Sequence, residues 1–590
     1  MERKVTRRGV IAATAAAGLS ASCNNPSTPK SFSASSEMQS GVFKLGIASG
    51  DPRPESIVLW THISPIDPRK PSVSVDWALS LNPDMSNPVK RGTSEARRAD
   101  SWTFKAIPSG LDAGQTYYYQ FTHDEAKSDI GRTRTLPVGA VDRLRFAVVS
   151  CANWQQGFFN TYDHISKNGD FDAMIHLGDY LYEYGTDKAN AAMQKAGRLH
   201  QPPHEILTLE DYRIRHAQYR SDPNLQAATA NMPLIPIWDD HESSNDSWKG
   251  GAENHQDGEG DWSARKDAAL RAYFEWMPIR PAETGKALSA FYREYKWGDL
   301  MRLFVWETRL LARGKPVLIE EHFDLISAEG GVDAFRETIL NDPSRDMLGP
   351  EQRQTVVSSL KHSKEAGETW RVIANQVLLG RLTTPDLNAY VSEETIAEIE
   401  KQWPPIRQFV ELSKYRLPVY PDSWDGYPVA RETLYAALDD QGVNDLIVLT
   451  GDSHEYWAND LTKENGTHIG VELGTTSISS ETLKNFMGEG VKDYALLMTR
   501  SNQDVRYYNA ETSGYIDLTL TPSKGRAHFI AIDNTDSTDY KAFETACFDI
   551  RKNKQSIKLD NPRGLDEEIR VSIPLNESSI SEEARYEKLI

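Results

Sequence analysis

At 590 residues the chain is too long for one ordinary domain, so two or more are expected. Its 85 Asp and Glu against 66 Lys and Arg leave a formal charge of −19, which repels phosphate backbones and argues against nucleic-acid binding through a broad basic face. The cysteines are three, Cys23, Cys151 and Cys547, too few for a disulfide framework.

Residues 1–23 read as a processing segment. Arg7 and Arg8 precede a short run of Ala, Gly and Leu, the pattern of a twin-arginine export signal, and the run is too short to span a bilayer. Cys23 after Leu19-Ser20-Ala21-Ser22 is similar to a lipoprotein cleavage site, with Ser20 where Leu is usual. The expectations are recognition by the twin-arginine export machinery, a lipid anchor through Cys23, and a periplasmic, cell-surface or secreted destination. Residues 24–40, rich in Ser, Pro and Asn, read as a flexible linker.

From 41 to 137 short β runs alternate with turns, among them Ser56–Thr61, Val73–Ala78 and Tyr117–Phe121. Such spacing predicts a β-sandwich. The segment Leu111-Asp112-Ala113-Gly114 followed by Tyr117 and Tyr119 resembles a corner of fibronectin type III domains, in which Tyr119 belongs to the core. Nothing in this module clusters catalytic side chains.

From 138 to 545 apolar runs alternate with helical stretches. The runs Leu144–Cys151, Phe171–Asp179, Met232–Asp240, Met301–Trp306, Trp370–Asn375 and Asp445–Asp452 predict buried strands, and Leu209–Tyr219, Ser263–Trp276 and Pro350–Lys361 predict helices. This is a layered α/β body, in which ligands gather beyond the strand ends. Residues 546–590 are expected to form a C-terminal extension, with a charged tail and with Cys547 as a small buried residue.

The strand ends carry the chemistry. Cys151 reads either as a small buried hydrophobe or as a thiolate for a Lewis-acidic transition metal. Asp179 follows Gly178 at a strand end and has two oxygens with which to bridge cations, and Tyr182 three residues on is chemically sound as a phenolate on iron. Asp239-Asp240-His241-Glu242 follows the apolar Leu234–Trp238, which disfavours an exposed acidic turn. Asp240 suits a hard cation such as calcium, His241 suits proton donation to a leaving group, and Asn245 offers a neutral oxygen. Asp452 and His454 sit at alternate positions after a strand and can face one site.

Together these motifs resemble the calcineurin-like metallophosphoesterases, and more closely the PhoD-like alkaline phosphatase family. The likeness rests on Ser150-Cys151, Gly178–Glu183, Trp238–Glu242, Gly250–His255, Ala272–Arg280, Trp424–Tyr427 and Thr450–His454, in that order, and extends over nearly the whole chain. It implies a four-layer α/β/β/α sandwich behind the all-β domain. It also implies Fe3+ held by Cys151, Asp179, Tyr182 and Asp452, beside Ca2+ near Asp179, Asp240, Asn245 and His454, with Asp239 as an alternative to Asp240. Small phosphate esters would be hydrolysed by direct attack of a metal-bound hydroxide or oxide, with His241 assisting the leaving oxygen. Two other readings stay open: activity on phosphodiesters, including phospholipids, and a non-catalytic ligand-binding surface lipoprotein.

Overall fold

The computed structural model describes residues 42–560, apart from 66, 283–291, 389, 402, 403, 405, 554 and 555. The twin-arginine segment, Cys23 and the charged tail lie outside the described residues. Among those described, no helix is long and apolar enough to cross a membrane.

The first strands are β1 (Ile47–Arg53), β2 (Ser56–His62), β3 (Ser72–Ser80), β4 (Lys90–Arg97), β5 (Thr103–Ala106), β6 (Thr116–His123), β7 (Ala126–Lys127) and β8 (Gly131–Arg134). All their mutual pairings are antiparallel. β3, β4, β6, β7 and β8 form one sheet. Its inner face (Val73, Val75, Leu79, Tyr117, Tyr119, Phe121) packs on Ile47, Ile57, Leu59 and Phe104 from β1, β2 and β5. Tyr119 is in this core, as expected, and the Tyr117 hydroxyl accepts from the Asp112 N–H at 2.9 Å.

The expected module is therefore all-β, but its second layer is not its own. β1, β2 and β5 form one end of a 10-stranded sheet that continues through the body. The other members are β9 (Leu144–Val149), β10 (Ala173–His176) and β11 (Pro233–Pro236), all parallel, and four later strands. β1 runs parallel to β11, and the buried Arg220 guanidinium donates to the carbonyls of Leu45 and Ile47. Alternate residues of β2 serve two cores: Ile57 and Leu59 face the small sheet, whereas Trp60 faces Trp276 with ring centroids 5.9 Å apart.

A second sheet of seven strands contains β12 (Arg293–Trp297), β13 (Met301–Val305), β14 (Trp370–Ala374), β15 (Leu446–Thr450), β16 (Tyr456–Thr462), β17 (His468–Gly474) and β18 (Val505–Asn509). Its strands alternate between two cores, as a period of two requires. Leu303, Val372, Ile447 and Leu449 meet the first sheet, and Phe304, Ile373 and Val448 meet the helices Gly349–Glu365 and Pro428–Asp440. The helices Asn160–Lys167 and Pro223–Asn231 cover the first sheet, with Tyr162, Ile165, Leu225 and Ala228 buried. This gives the α/β/β/α layering. The central parallel strands are buried on both faces, which is why they read as unbroken apolar runs.

The chain returns to the first sheet through β19 (Ser513–Leu520), β20 (Gly525–Ile532), β21 (Ala542–Lys552) and β22 (Ile557–Leu559), with β19 antiparallel to β9. The boundary expected at 546 falls inside β21, whose Ala546, Phe548 and Ile550 point into the main core. Residues 546–552 and 557–559 thus complete the sheet rather than extend from it.

Candidate metal centre

β9, β10, β11 and β15 all run toward one edge of the paired sheets, where the segments that follow them converge. A Cβ at Gly451 would lie 2.3 Å from Ser150 Oγ, and one at Gly178, whose φ is +106°, would lie 2.4 Å from Asp239 Cβ. Glycine is what lets these loops close. Cys151, Asp179, Asp452 and His454 have φ of 60°, 52°, 64° and 61°. A left-handed backbone at a residue with a Cβ costs roughly 1–3 kcal/mol and persists where the surroundings impose it. Here the Cys151 N–H donates to the Gly178 carbonyl at 3.1 Å and the Ala152 N–H to the Asp179 carbonyl at 2.9 Å. Four candidate ligands thus share one strained conformation, a sign of a built site.

Three groups of possible ligand atoms form, each with its members within 4.8 Å of one another: Cys151, Asp179 and His454; Asp179, Asp240 and His241; and Asp179, Asp239, Asp240 and Asp452. Asp179 belongs to all three and is fully buried. The Tyr182 hydroxyl joins the first group, donating to Asp179 Oδ2 at 2.9 Å and lying 3.1 Å from His454 Nε2. It accepts from Ser480 Oγ at 2.7 Å, and His454 Nδ1 is turned to the Glu481 carbonyl at 2.8 Å. The grouping differs from the expected partition in two respects: His454 stands with Cys151, and Asp452 stands with Asp239 and Asp240. Arg309 accounts for the second of these, since its Nη2 donates to Asp452 Oδ1 at 3.2 Å.

Asn245 is buried nearby, but its side chain is already engaged. Oδ1 accepts from the Tyr184 hydroxyl and Nδ2 donates to Glu253, both at 3.1 Å. Its N–H donates to Glu183 at 2.8 Å.

Three further residues of the site have no role assigned from sequence: Glu183 and Glu242 lie inside the motifs quoted above, and Arg309 lies outside them. Glu242 does not face the ligand groups; it accepts from the N–H groups of Tyr180 (2.6 Å), Asp239 (2.7 Å) and Asp179 (3.2 Å), clamping two ligand loops together. Burial and the Asp179 charge push its pKa up to about 8, against the pull of those amides. Arg309, fully buried, donates to Asp239 and lies 3.5 Å from Asp240. Burial disfavours its charge, but Asp239, Asp240 and Asp452 hold its pKa well above the ordinary value. Glu183 holds His241 Nδ1 at 2.6 Å and accepts from Asn254 at 2.8 Å.

His241 is buried, and its ring is tilted by 32° against that of Tyr182 with centroids 4.1 Å apart. Burial pushes its pKa down, but Asp179, Glu183 and Asp240 outweigh burial and raise it from 6.5 to about 10. The imidazolium therefore stabilises the metal-free fold fully below about pH 6.5, and that contribution fades as pH rises through about 10. Metal-stripped protein is expected to melt at falling temperature across this window, with a shallower fall in His241→Gln. Equal slopes in the two proteins would contradict the charge assignment.

The donor set suits cations. Asp239 Oδ2 is buried without a hydrogen-bond partner among the described residues. Asp179, Asp239, Asp240 and Asp452 meet two cationic groups, Arg309 and the His241 imidazolium that Glu183 also holds, so acidic side chains outnumber their cations, and buried charge needs a partner. Thiol, phenol and imidazole stand at one end and carboxylates at the other, so the site offers softer and harder ligands to different ions.

The chain has relatives of known family. Residues 146–529 match the model of the PhoD-like phosphatase family, and residues 28–137 match that of the PhoD-like phosphatase N-terminal domain. Alkaline phosphatase D of Bacillus subtilis (strain 168) is 32% identical over 505 residues, covering 82% of this chain and 77% of that protein. A solved structure described as "Structure of PhoD" superposes with TM-score 0.71 and 29% identity, covering 90% of this chain and 94% of that one. With its family match across both the β module and the body, and buried Asp, His and Cys clusters that suggest a metal site, the chain belongs to the PhoD-like phosphatases.

Proposed function

We propose that the protein is an exported alkaline phosphatase that hydrolyses small phosphate esters at a centre of Fe3+ and Ca2+. The observation that carries this reading is Asp179, common to three buried ligand groups and able to join two cations through its two oxygens. Cys151, Asp179 and Tyr182 suit Fe3+, because thiolate and phenolate favour a strongly Lewis-acidic ion. Asp239 and Asp240 suit Ca2+, which takes carboxylate oxygens. Asp452, His454 and, with a turn of its side chain, Asn245 complete the set. The bound ions would supply Lewis acidity toward the phosphoryl oxygens and activate water.

The chain's own groups do the rest. His241, held by Glu183, donates a proton to the departing oxygen. Arg309 fixes the directions of Asp239 and Asp452 and offsets their charge. Glu242 keeps the Asp179 and Asp239 loops at one spacing. The twin-arginine segment delivers the folded protein across the membrane, and Cys23 is the residue on which a lipid anchor would form.

Parallel assays with a nitrophenyl phosphate monoester and the corresponding diester test the reading. Faster monoester hydrolysis is expected. Faster diester hydrolysis would move the assignment to phosphodiesterase, and hydrolysis of neither would contradict it.

A further inference from the structure

β20 and β21 pair antiparallel with His528 opposite Cys547, Phe529 opposite Ala546 and Ile530 opposite Glu544. Thr545 is therefore an extra residue, a β-bulge, and its hydroxyl donates to the Phe529 carbonyl at 3.2 Å. In an unbroken strand, residues three apart point to opposite faces. The bulge cancels that alternation and returns Glu544 to the face that carries Cys547 and His528, while Ala546 and Phe548 stay in the core. The ligand atoms of His528, Glu544 and Cys547 come within 4.8 Å of one another. None of the three belongs to the ligand groups described above.

We propose that His528, Glu544 and Cys547 form a second cation site, for a borderline transition cation such as Zn2+. One imidazole nitrogen, one carboxylate oxygen and one thiolate sulfur are the donors that such an ion takes in tetrahedral coordination, with water in the fourth position. The oxygen-seeking Ca2+ has no use for the sulfur. The sulfur sits at the base of the site with Cys547 4% exposed, whereas the His528 and Glu544 side chains are 30% and 32% exposed, so an ion can approach from solvent. A surface cleft of about 210 Å³, lined in part by His528 and Arg526, opens beside them. Arg526 does not compete for the carboxylate, since it pairs with Asp549 at 2.9 Å. A bound ion would pin β20 to β21 where the bulge weakens their ladder.

The test uses the full chain stripped of metal and titrated with Co2+, which gives a near-ultraviolet charge-transfer band when a thiolate binds it. The band is expected to persist in Cys23→Ser/Cys151→Ser and to vanish when Cys547→Ser is added. His528→Ala is expected to weaken Co2+ binding at this site at least roughly tenfold. A band absent from Cys23→Ser/Cys151→Ser, or surviving loss of all three cysteines, would overturn the proposal. A second reading does not depend on variants: Zn2+ should slow alkylation of Cys547 in the unaltered protein, followed by peptide mass spectrometry. Alkylation at the same rate with and without Zn2+ would also overturn it.

Discussion

Asp179→Asn is expected to lower the phosphatase rate by at least roughly 10³-fold and to release bound metal. The substitution conserves shape, so the Tyr182 and Glu242 contacts around the loop can survive it. What it removes is the one charge common to all three ligand groups. Its effect should therefore exceed that of substituting Asp239 or His454, each of which belongs to a single group. Kinetics with elemental analysis of the purified variant checks this. A variant that keeps its metals and a full rate would remove Asp179 from the centre of the account.

The second large effect is on stability. Arg309→Met keeps an unbranched apolar stem but leaves Asp239, Asp240 and Asp452 without their buried cation. Removing one partner of a buried ion pair costs about 3–5 kcal/mol, and a loss of that size is expected in metal-stripped protein. Metal-loaded protein should lose less, because bound cations supply the missing positive charge. The pH dependence has a definite sign. Burial pushes the Asp239 carboxyl well above its ordinary pKa, opposed chiefly by Arg309, so without the arginine Asp239 is held protonated to higher pH. The loss should grow as pH rises and that proton has to leave. Denaturant unfolding with and without metal measures both effects, and an equal loss in the two states would contradict the charge-balance role.

The strand ends were legible because each follows a strand buried on both faces, written as an unbroken apolar run. That position marked Asp179, Asp239, Asp240 and Asp452 as candidate ligands, whereas Cys151 stayed open between a buried hydrophobe and a ligand, and the resemblance supplied the grouping. Arg309 could not, because Thr308-Arg309-Leu310 has no local mark and its role depends on loops from two different sheets. Glu183 and Glu242 lie inside motifs that were read, yet a carboxylate that clamps amides looks in sequence like one that binds metal. The shared sheet was hidden for a similar reason: β1 and β11 pair across nearly two hundred residues. The end of the body at 546 was misplaced because the bulge at Thr545 interrupts the alternation that would have marked β21 as a strand.

Metal content measured together with activity tests the central claim most directly. The purified chain should carry iron and calcium, lose monoester hydrolysis when a chelator strips them, and regain it when the same ions return. Full hydrolysis by the stripped protein, or a protein that takes up neither ion, would contradict the account.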